Sequence, residues 1–589
     1  MKFYINICLS VFIVFFTACG GGSDSTPKAD TRTSLEKLLA SGDVTKSSVS
    51  ERELLQATKN ELLKIKVGDT LLAKIFKDEA VDYNISNRTQ VFTITQENEN
   101  VFPLIVGNAG KILSIAGRTT QSRFAAFGIA PMENFEVEEN LAFVPQFKRI
   151  LSWLLEGENF NASSLDKNLT IAISFTGGDS VAIKNWFSKE IPAWRIVECN
   201  ALSTLSQCYE GSDMIISGWE SDENATQIVE ILQDEYDNAK PILYFHTWYE
   251  ATGPLSLAIG NMLGFSLPYG GNYWAGDTAL WNNYIDMLNA SYIALGYESI
   301  QKVVEHFIAQ DYAFDWTQCN DEDCSNVTGF QTEFLDAANS IRTRANILDT
   351  NKRAIFKEDG YLLDKYIVLL ADKFRQSIVF PMDKTTTNDT VFLKSYFSDF
   401  SVYNYRSVNP AQKDMGNFSR SDFSEIVPQS VEVRKNTRKP FGSAGVYALP
   451  GKTVKITRRD NNNARVKVFI NTLRSGSTHE FAVDGYLRPK YLQSSHIEIL
   501  SGESIEITSP YGGPIELDCN VSNIEVTLLF ENVGKHPYWE SSVDDVSFTT
   551  ALAADEYDWA EIATTGFEVH SKRDKMLESI KAWADRVGV

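Results

Sequence analysis

The sequence predicts a multidomain chain with three kinds of structure in series: an α/β part, then an α part, then a β part. Three observations predict it. Short apolar runs at 169–175, 194–199, 213–218 and 241–245 alternate with helical stretches, the pattern of a parallel sheet whose strands are covered on both faces. From 281 to about 401 apolar residues recur at spacings of three and four. From about 431 to 531 they recur at two, as in Val454 and Ile456 or Val466 and Val468, with Gly and Asn turns between, which predicts an antiparallel β-sandwich. A chain of 589 residues has room for about four such domains.

In chain order, Lys2 precedes an apolar stretch at 3–18 that is too short to span a membrane and ends in Phe16-Thr17-Ala18-Cys19. This resembles a bacterial lipoprotein signal. It implies a signal peptide over 1–18 and diacylglycerol on Cys19, with anchoring in the cell envelope at the outer membrane, or an extracellular location. Residues 19–33, rich in Gly, Ser, Thr and Asp, read as a flexible tether. Leu35, Leu38, Leu39, Leu54, Leu55, Leu62 and Leu63 have helical spacing, so 34–66 reads as a helical lead-in. Short strands are expected from about Val67, including 101–106 and 111–116, then a helix over 146–155, within an α/β domain at 67–276. In that domain Asn224 and Gln227 read as a capping box ahead of the stripe Ala225, Ile228, Leu232 and Tyr236. A helical domain is expected at 277–430. The β region and a closing helix, with Met576, Leu577, Ile580, Trp583 and Val587 on one stripe, fill 431–589.

Composition limits the partners. A net charge of −22 argues against nucleic acid, because phosphate binding needs a basic face and the chain offers only short pieces such as Arg434, Lys435, Arg438 and Lys439. The segment Gly445-Val446-Tyr447-Ala448-Leu449-Pro450-Gly451-Lys452-Thr453 imitates a phosphate-binding loop. It has five residues between the glycines where the motif needs four, and a strand pattern follows where a helix must open, so no nucleotide is expected.

Cysteines point to an oxidising compartment. Cys199 and Cys208, and Cys319 and Cys324, form two local pairs expected to close disulfide loops, since no C-x-x-C or nearby His supports zinc; Cys519 has no evident partner.

No catalytic constellation emerges. The α/β domain suggests an amidotransferase-like hydrolase, yet its turn reads Phe245-His246-Thr247-Trp248 without a nucleophilic Cys, and G-x-S-x-G is absent, so the domain reads as non-catalytic. Thr176-Gly177-Gly178-Asp179 reads as a glycine turn rather than an anion site. None of the six histidines is four residues from another, which rules out H-E-x-x-H within these residues. His570 with Glu568, Glu561 and Asp558 is a loose acid and His group that could bind a metal weakly but reads first as surface polar residues. No catalytic residue and no metal ligand is therefore assigned.

Ala444-Gly445-Val446-Tyr447-Ala448-Leu449-Pro450-Gly451-Lys452-Thr453, followed by a strand pattern, resembles the opening of the enhancin-like, mucin-targeting metallopeptidase domain. Ser509-Pro510-Tyr511-Gly512-Gly513-Pro514-Ile515 resembles a second signature of it. With Tyr557-Asp558-Trp559-Ala560-Glu561, Phe567-Glu568-Val569-His570-Ser571 and the domain order, the chain is similar to the ImpA-like immunomodulating metalloprotease family. That resemblance implies a zinc endopeptidase acting on O-glycosylated, mucin-type proteins. It places H-E-x-x-H and a further acidic ligand beyond Val589, so zinc belongs to the family while these residues support none. The chain is then expected to be a truncated form or, alternatively, a non-catalytic surface protein that binds glycans or glycoproteins.

Overall fold

The computed structural model describes residues 31–67, 70–83, 89–95, 101–119, 121–221, 224–246, 253–267, 277–311, 314–358, 360–383, 385–420, 422–472, 478–483, 485–564 and 566–587. Residues 1–30, which hold the segment read as a lipoprotein signal and Cys19, lie outside them. No helix among the described residues is long and apolar enough to cross a membrane.

The lead-in forms α1 (Ser34–Ser41), opened by a reciprocal Thr33–Glu36 capping box and closed by Gly42, then α2 (Glu51–Val67). A third helix, α3 (Thr70–Phe76), stands where strands were expected to begin, and the first strand starts only at Val81. The reason is visible in Leu71, Leu72, Ile75 and Phe76, all buried, which prolong the helical spacing. Leu38, Val44, Leu54 and Leu62 share one core with Val303, Phe307 and Leu370, so the lead-in belongs to the later helical bundle rather than to its sequence neighbours.

The α/β region is built on β1 (Val101–Val106), β2 (Ile112–Arg118), β3 (Arg123–Phe127), β4 (Thr170–Ser174), β5 (Arg195–Glu198), β6 (Met214–Ser217) and β7 (Ile242–Phe245), arranged β1-β2-β3-β7-β6-β4-β5. The last five are parallel, and β1 and β2 extend the sheet antiparallel at one side. Strands β6 and β7 are buried throughout, but β5 is not: it lies at the sheet edge with Arg195 and Glu198 exposed, which corrects the expectation of burial on both faces for 194–199. Ile228, Leu232 and Tyr236 pack inward from helix α4 (Ala225–Asp237). Asn224 opens that helix in a left-handed conformation, and its side chain makes no cap bond, so the capping box with Gln227 does not form.

The bundle comprises α5 (Tyr284–Ala294), α6 (Tyr297–Ala309), α7 (Asp336–Thr350), α8 (Leu362–Arg375) and α9 (Asp389–Phe400). Cys319 and Cys324 are bonded in the α6–α7 connection with Cα atoms 4.4 Å apart; Cys199 and Cys208 are bonded with Cα atoms 5.9 Å apart. An irregular stretch follows α9 and is tied down by buried acids. Asp349 accepts the N–H groups of Asn404 and Tyr405, and Asp372, fully buried, pairs with Arg375 and with Arg406 at 2.7 Å.

The β region contains β8 (Gln429–Asn436), β9 (Phe441–Ala448), β10 (Val454–Arg458), β11 (Val466–Ile470), β12 (Ile497–Ile499), β13 (Ser504–Ile507), β14 (Gly513–Cys519) and β15 (Glu525–Gly534), all antiparallel. The path runs β12-β11-β14-β9-β15-β10-β13, with β8 also on β15. Its two end strands, β12 and β13, are joined through residues 500–503 alone, so the sheet must curl back on itself. The inward residues of its strands then share one core. Beyond it, β16 (Tyr538–Trp539), β17 (Trp559–Ala563) and β18 (Glu568–Lys572) form a small mixed sheet where only helix was expected, with α10 (Asp545–Ala554) and α11 (Arg573–Val587) beside it. The side chains of Trp583 and Val587 lie outside the described set.

Candidate functional site

The two signature segments pack against each other. In the β9–β14 ladder Ala448 faces Gly513 and Tyr447 faces Pro514, and Gly451 N–H donates to the Ser509 carbonyl at 2.9 Å. Gly512 is left-handed (φ +67°), and a Cβ there would stand 2.4 Å from the Ala448 carbonyl, so only glycine fits. The phosphate-loop imitation is a strand, a turn and a strand, as its spacing implies.

Strand alternation points Ile515 and Leu517 into the core and Glu516 outward, which would normally put Glu516 in water. The small sheet covers that face, and Glu516 is fully buried. Register then brings several polar groups together. Ser443 lies opposite Glu516 across β9–β14, and Glu561 opposite His570 across β17–β18. Glu561 accepts from His536 at 2.8 Å, Ser443 at 2.5 Å and His570 at 2.6 Å. The group is thus not a surface feature, as the sequence suggested: Glu561 is 1% exposed because β17 turns it under the sheet. Asp558 is not in it; that carboxylate holds Ser419 and Arg420 instead. Glu516 and His536 joined without a sequence signal, since one alternates outward and the other sits in a loop.

The electrostatics follow from burial. Burial alone would push the Glu561 carboxyl up, but the imidazoles of His536 and His570 overcome it and hold Glu561 well below the usual range. Burial lowers the proton affinity of His570, yet hydrogen bonds to Glu561 and Glu568 dominate and raise its pKa to about 9. Glu516 has no donor to its oxygens among the described residues, and burial, reinforced by the neighbouring Glu561 charge, pushes its carboxyl well above the usual carboxylate range.

Among the described residues, Glu516, Glu568 and His570 bring possible ligand atoms within 4.8 Å of one another. They do not fit a catalytic zinc. His570 keeps its proton through neutral pH and so lacks the lone pair a metal needs, while Glu568 is engaged by Arg438 and the Ser443 N–H, both at 3.2 Å. The arrangement can hold protons and clamp two sheets.

Above the cluster opens a cleft of about 710 Å³ between the β8–β9 connection and β18. Its lining includes Arg434, Lys435, Arg438 and Lys439, the basic piece noted in the sequence.

In the α/β region, Gly177 is left-handed and its turn is filled from within: a Cβ there would meet the Glu220 carboxylate at 2.0 Å. His246, where a nucleophile would stand, is buried, stacked on Trp219 at 5.4 Å between ring centroids, and held neutral by burial with its pKa lowered to about 3. Thr247 and Trp248 lie outside the described residues.

The sequence matches two domain families, the immunomodulating metalloprotease N-terminal domain over 71–273 and the immunomodulating metalloprotease helical domain over 301–407. The immunomodulating metalloprotease of Pseudomonas aeruginosa is 26% identical over 586 residues, covering 95% of this chain and 62% of that protein. The structure of IMPa from Pseudomonas aeruginosa in complex with an O-glycopeptide superposes with a TM-score of 0.79 at 23% identity, over 92% of this chain and 63% of that one. IMPa metallopeptidase in complex with T-antigen matches with a TM-score of 0.79 at 23% identity, over 94% and 63%. The chain thus spans a little over three fifths of the length of these relatives.

Proposed function

Because the chain belongs to the immunomodulating metalloprotease family, we propose that it serves a glycoprotein-directed peptidase function, and that residues 31–587 supply frame and recognition rather than hydrolysis. The supporting observation is the 26% identity carried through 95% of the chain to a metalloprotease, reinforced by relatives solved with an O-glycopeptide and with T-antigen. Hydrolysis needs a zinc held by about three side chains with one position left for water, which lowers the water pKa to about 7. The acid and His cluster does not provide this. Purified chain is therefore expected to contain no stoichiometric zinc and to leave a mucin-type substrate uncut, while binding an O-glycosylated peptide. One zinc per chain with chelator-sensitive cleavage would overturn the first part; failure to bind any glycopeptide would overturn the second.

A second reading, a surface protein that binds glycans without cutting them, is favoured by the basic cleft and gives the same binding result. The Phe16-Thr17-Ala18-Cys19 segment supports a lipid anchor in the cell envelope, since two acyl chains hold a protein far better than one. Cys19→Ala should move the protein from the membrane to the soluble fraction, and unchanged membrane association would refute the anchor.

A further inference from the structure

We propose that the cleft between the β8–β9 connection and β18 is a binding site for an acidic sugar, a carboxylate- or sulfate-bearing residue of the glycoprotein ligand. The inference rests on the glycoprotein reading above and deepens it.

The first observation is a local reversal of charge. The chain as a whole carries −22, yet four Lys/Arg side chains and His570 line this cleft against two carboxylates, Glu540 and Glu568. Most of that charge is paired, since Lys435 meets Glu540, Arg438 meets Glu568, Arg434 meets Glu432 and His570 meets Glu561. Lys439 is exposed and forms no ion pair among the described residues. Lys439 therefore leaves a positive charge at the cleft mouth, and an excess of positive charge in a low-dielectric cleft attracts an oppositely charged group.

The second observation concerns shape and apolar surface. Phe567, 60% exposed, stands at the rim, and Tyr538 lies across the cleft from it, its hydroxyl accepting from Lys435 at 2.6 Å. Phe567 thus offers an exposed aromatic face beside polar groups, and sugars present C–H faces that stack on such rings. Asn436 and Asn523 supply amides suited to sugar hydroxyls. The volume, about 710 Å³, holds a short oligosaccharide but not a folded partner. An extended acidic peptide would use the cations but leave the ring and amides idle, so the sugar is preferred.

The test uses the full chain and three probes of one peptide sequence: unglycosylated, carrying a neutral core disaccharide, and carrying the same disaccharide with a terminal sialic acid. Isothermal titration should show the acidic form binding about fivefold or more tighter than the neutral form at low salt, with the advantage shrinking toward one at about 0.5 M salt. Lys439→Glu should abolish the advantage of the acidic form over the neutral one, whereas Phe567→Ala should weaken both glycosylated forms. Both side chains are exposed, and circular dichroism verifies that each variant is folded. Equal affinity for acidic and neutral forms, or an advantage that survives Lys439→Glu, overturns the inference while the glycoprotein reading stands. Absence of binding to all three probes overturns both. Polyglutamate competing as strongly as the sialylated probe would replace the sugar by an acidic peptide.

Discussion

His570 owes its charge to its neighbours, and that makes stability depend on pH in a calculable direction. Its folded pKa, about 9, exceeds the ordinary 6.5, so its contribution is fully present below 6.5 and is lost as pH rises through 9. Glu516, also raised, acts in the same sense, with its loss beginning above the ordinary carboxylate value of 4.5. Chemical denaturation from pH 6 to 10 should therefore show falling stability, with His570 alone accounting for on the order of 3 kcal/mol. A flat profile would remove the ion-pair account. Glu561→Gln removes the negative charge between His536 and His570 and one of the two oxygens that accept from them, and should cost about 3 kcal/mol at pH 7 while flattening the profile. At this scale the sequence was a partial guide. Glu561, Glu568 and His570 were seen as neighbours, but their burial was invisible because it comes from a second sheet that covers the outward side of β14.

At the scale of elements, glycine conformation separates turns that tolerate change from those that do not. Gly512 and Gly502 are both left-handed, but a Cβ at Gly512 would meet a backbone carbonyl at 2.4 Å while one at Gly502 would meet nothing within 4 Å. Gly502→Ala should cost about 1 kcal/mol from backbone strain alone, and Gly512→Ala distinctly more, because the β9–β14 register must shift. Thermal denaturation of the two variants compares them, and equal losses would refute the close-packing argument. The period-two and period-three-and-four patterns made the two large sheets and the bundle legible. Strands β17 and β18 escaped because Glu561 and His570 occupy inward positions, which inverts the usual alternation of apolar inside and polar outside. Helix α3 was misread because seven residues are too few to tell a short helix from short strands by period.

At the scale of the whole molecule, the lead-in, the bundle and the segment that leads to the β region are joined by charge buried between them. Asp372 on α8 holds Arg406, which also donates to the Gly42 carbonyl at 2.8 Å at the end of α1, so one guanidinium ties lead-in, bundle and connecting segment together. Arg406→Ala leaves a buried carboxylate short of a partner and should destabilise by about 3 kcal/mol. Limited proteolysis should then cut within 402–428 faster than in the native chain; an unchanged digestion pattern would show that the segment is held by other means. The order of the three regions was legible from periodicity. Their joints were not, because Asp349, Asp372 and Arg406 look like ordinary surface residues until residues far apart in sequence close over them.

Cys519 sits in β14 opposite Val466, buried in the sheet core, its thiol pushed up to about 11. At neutral pH only about one such thiol in ten thousand is a thiolate, the form that attacks disulfides. Once β14 is in place, Cys519 is chemically silent toward the bonds at 199–208 and 319–324. Before that, in the open chain, it is an ordinary thiol able to exchange with either. Correct pairing is therefore a race between two short loops that close locally and a strand that must gather partners from across the β region, and the short separations of 9 and 5 residues favour the loops.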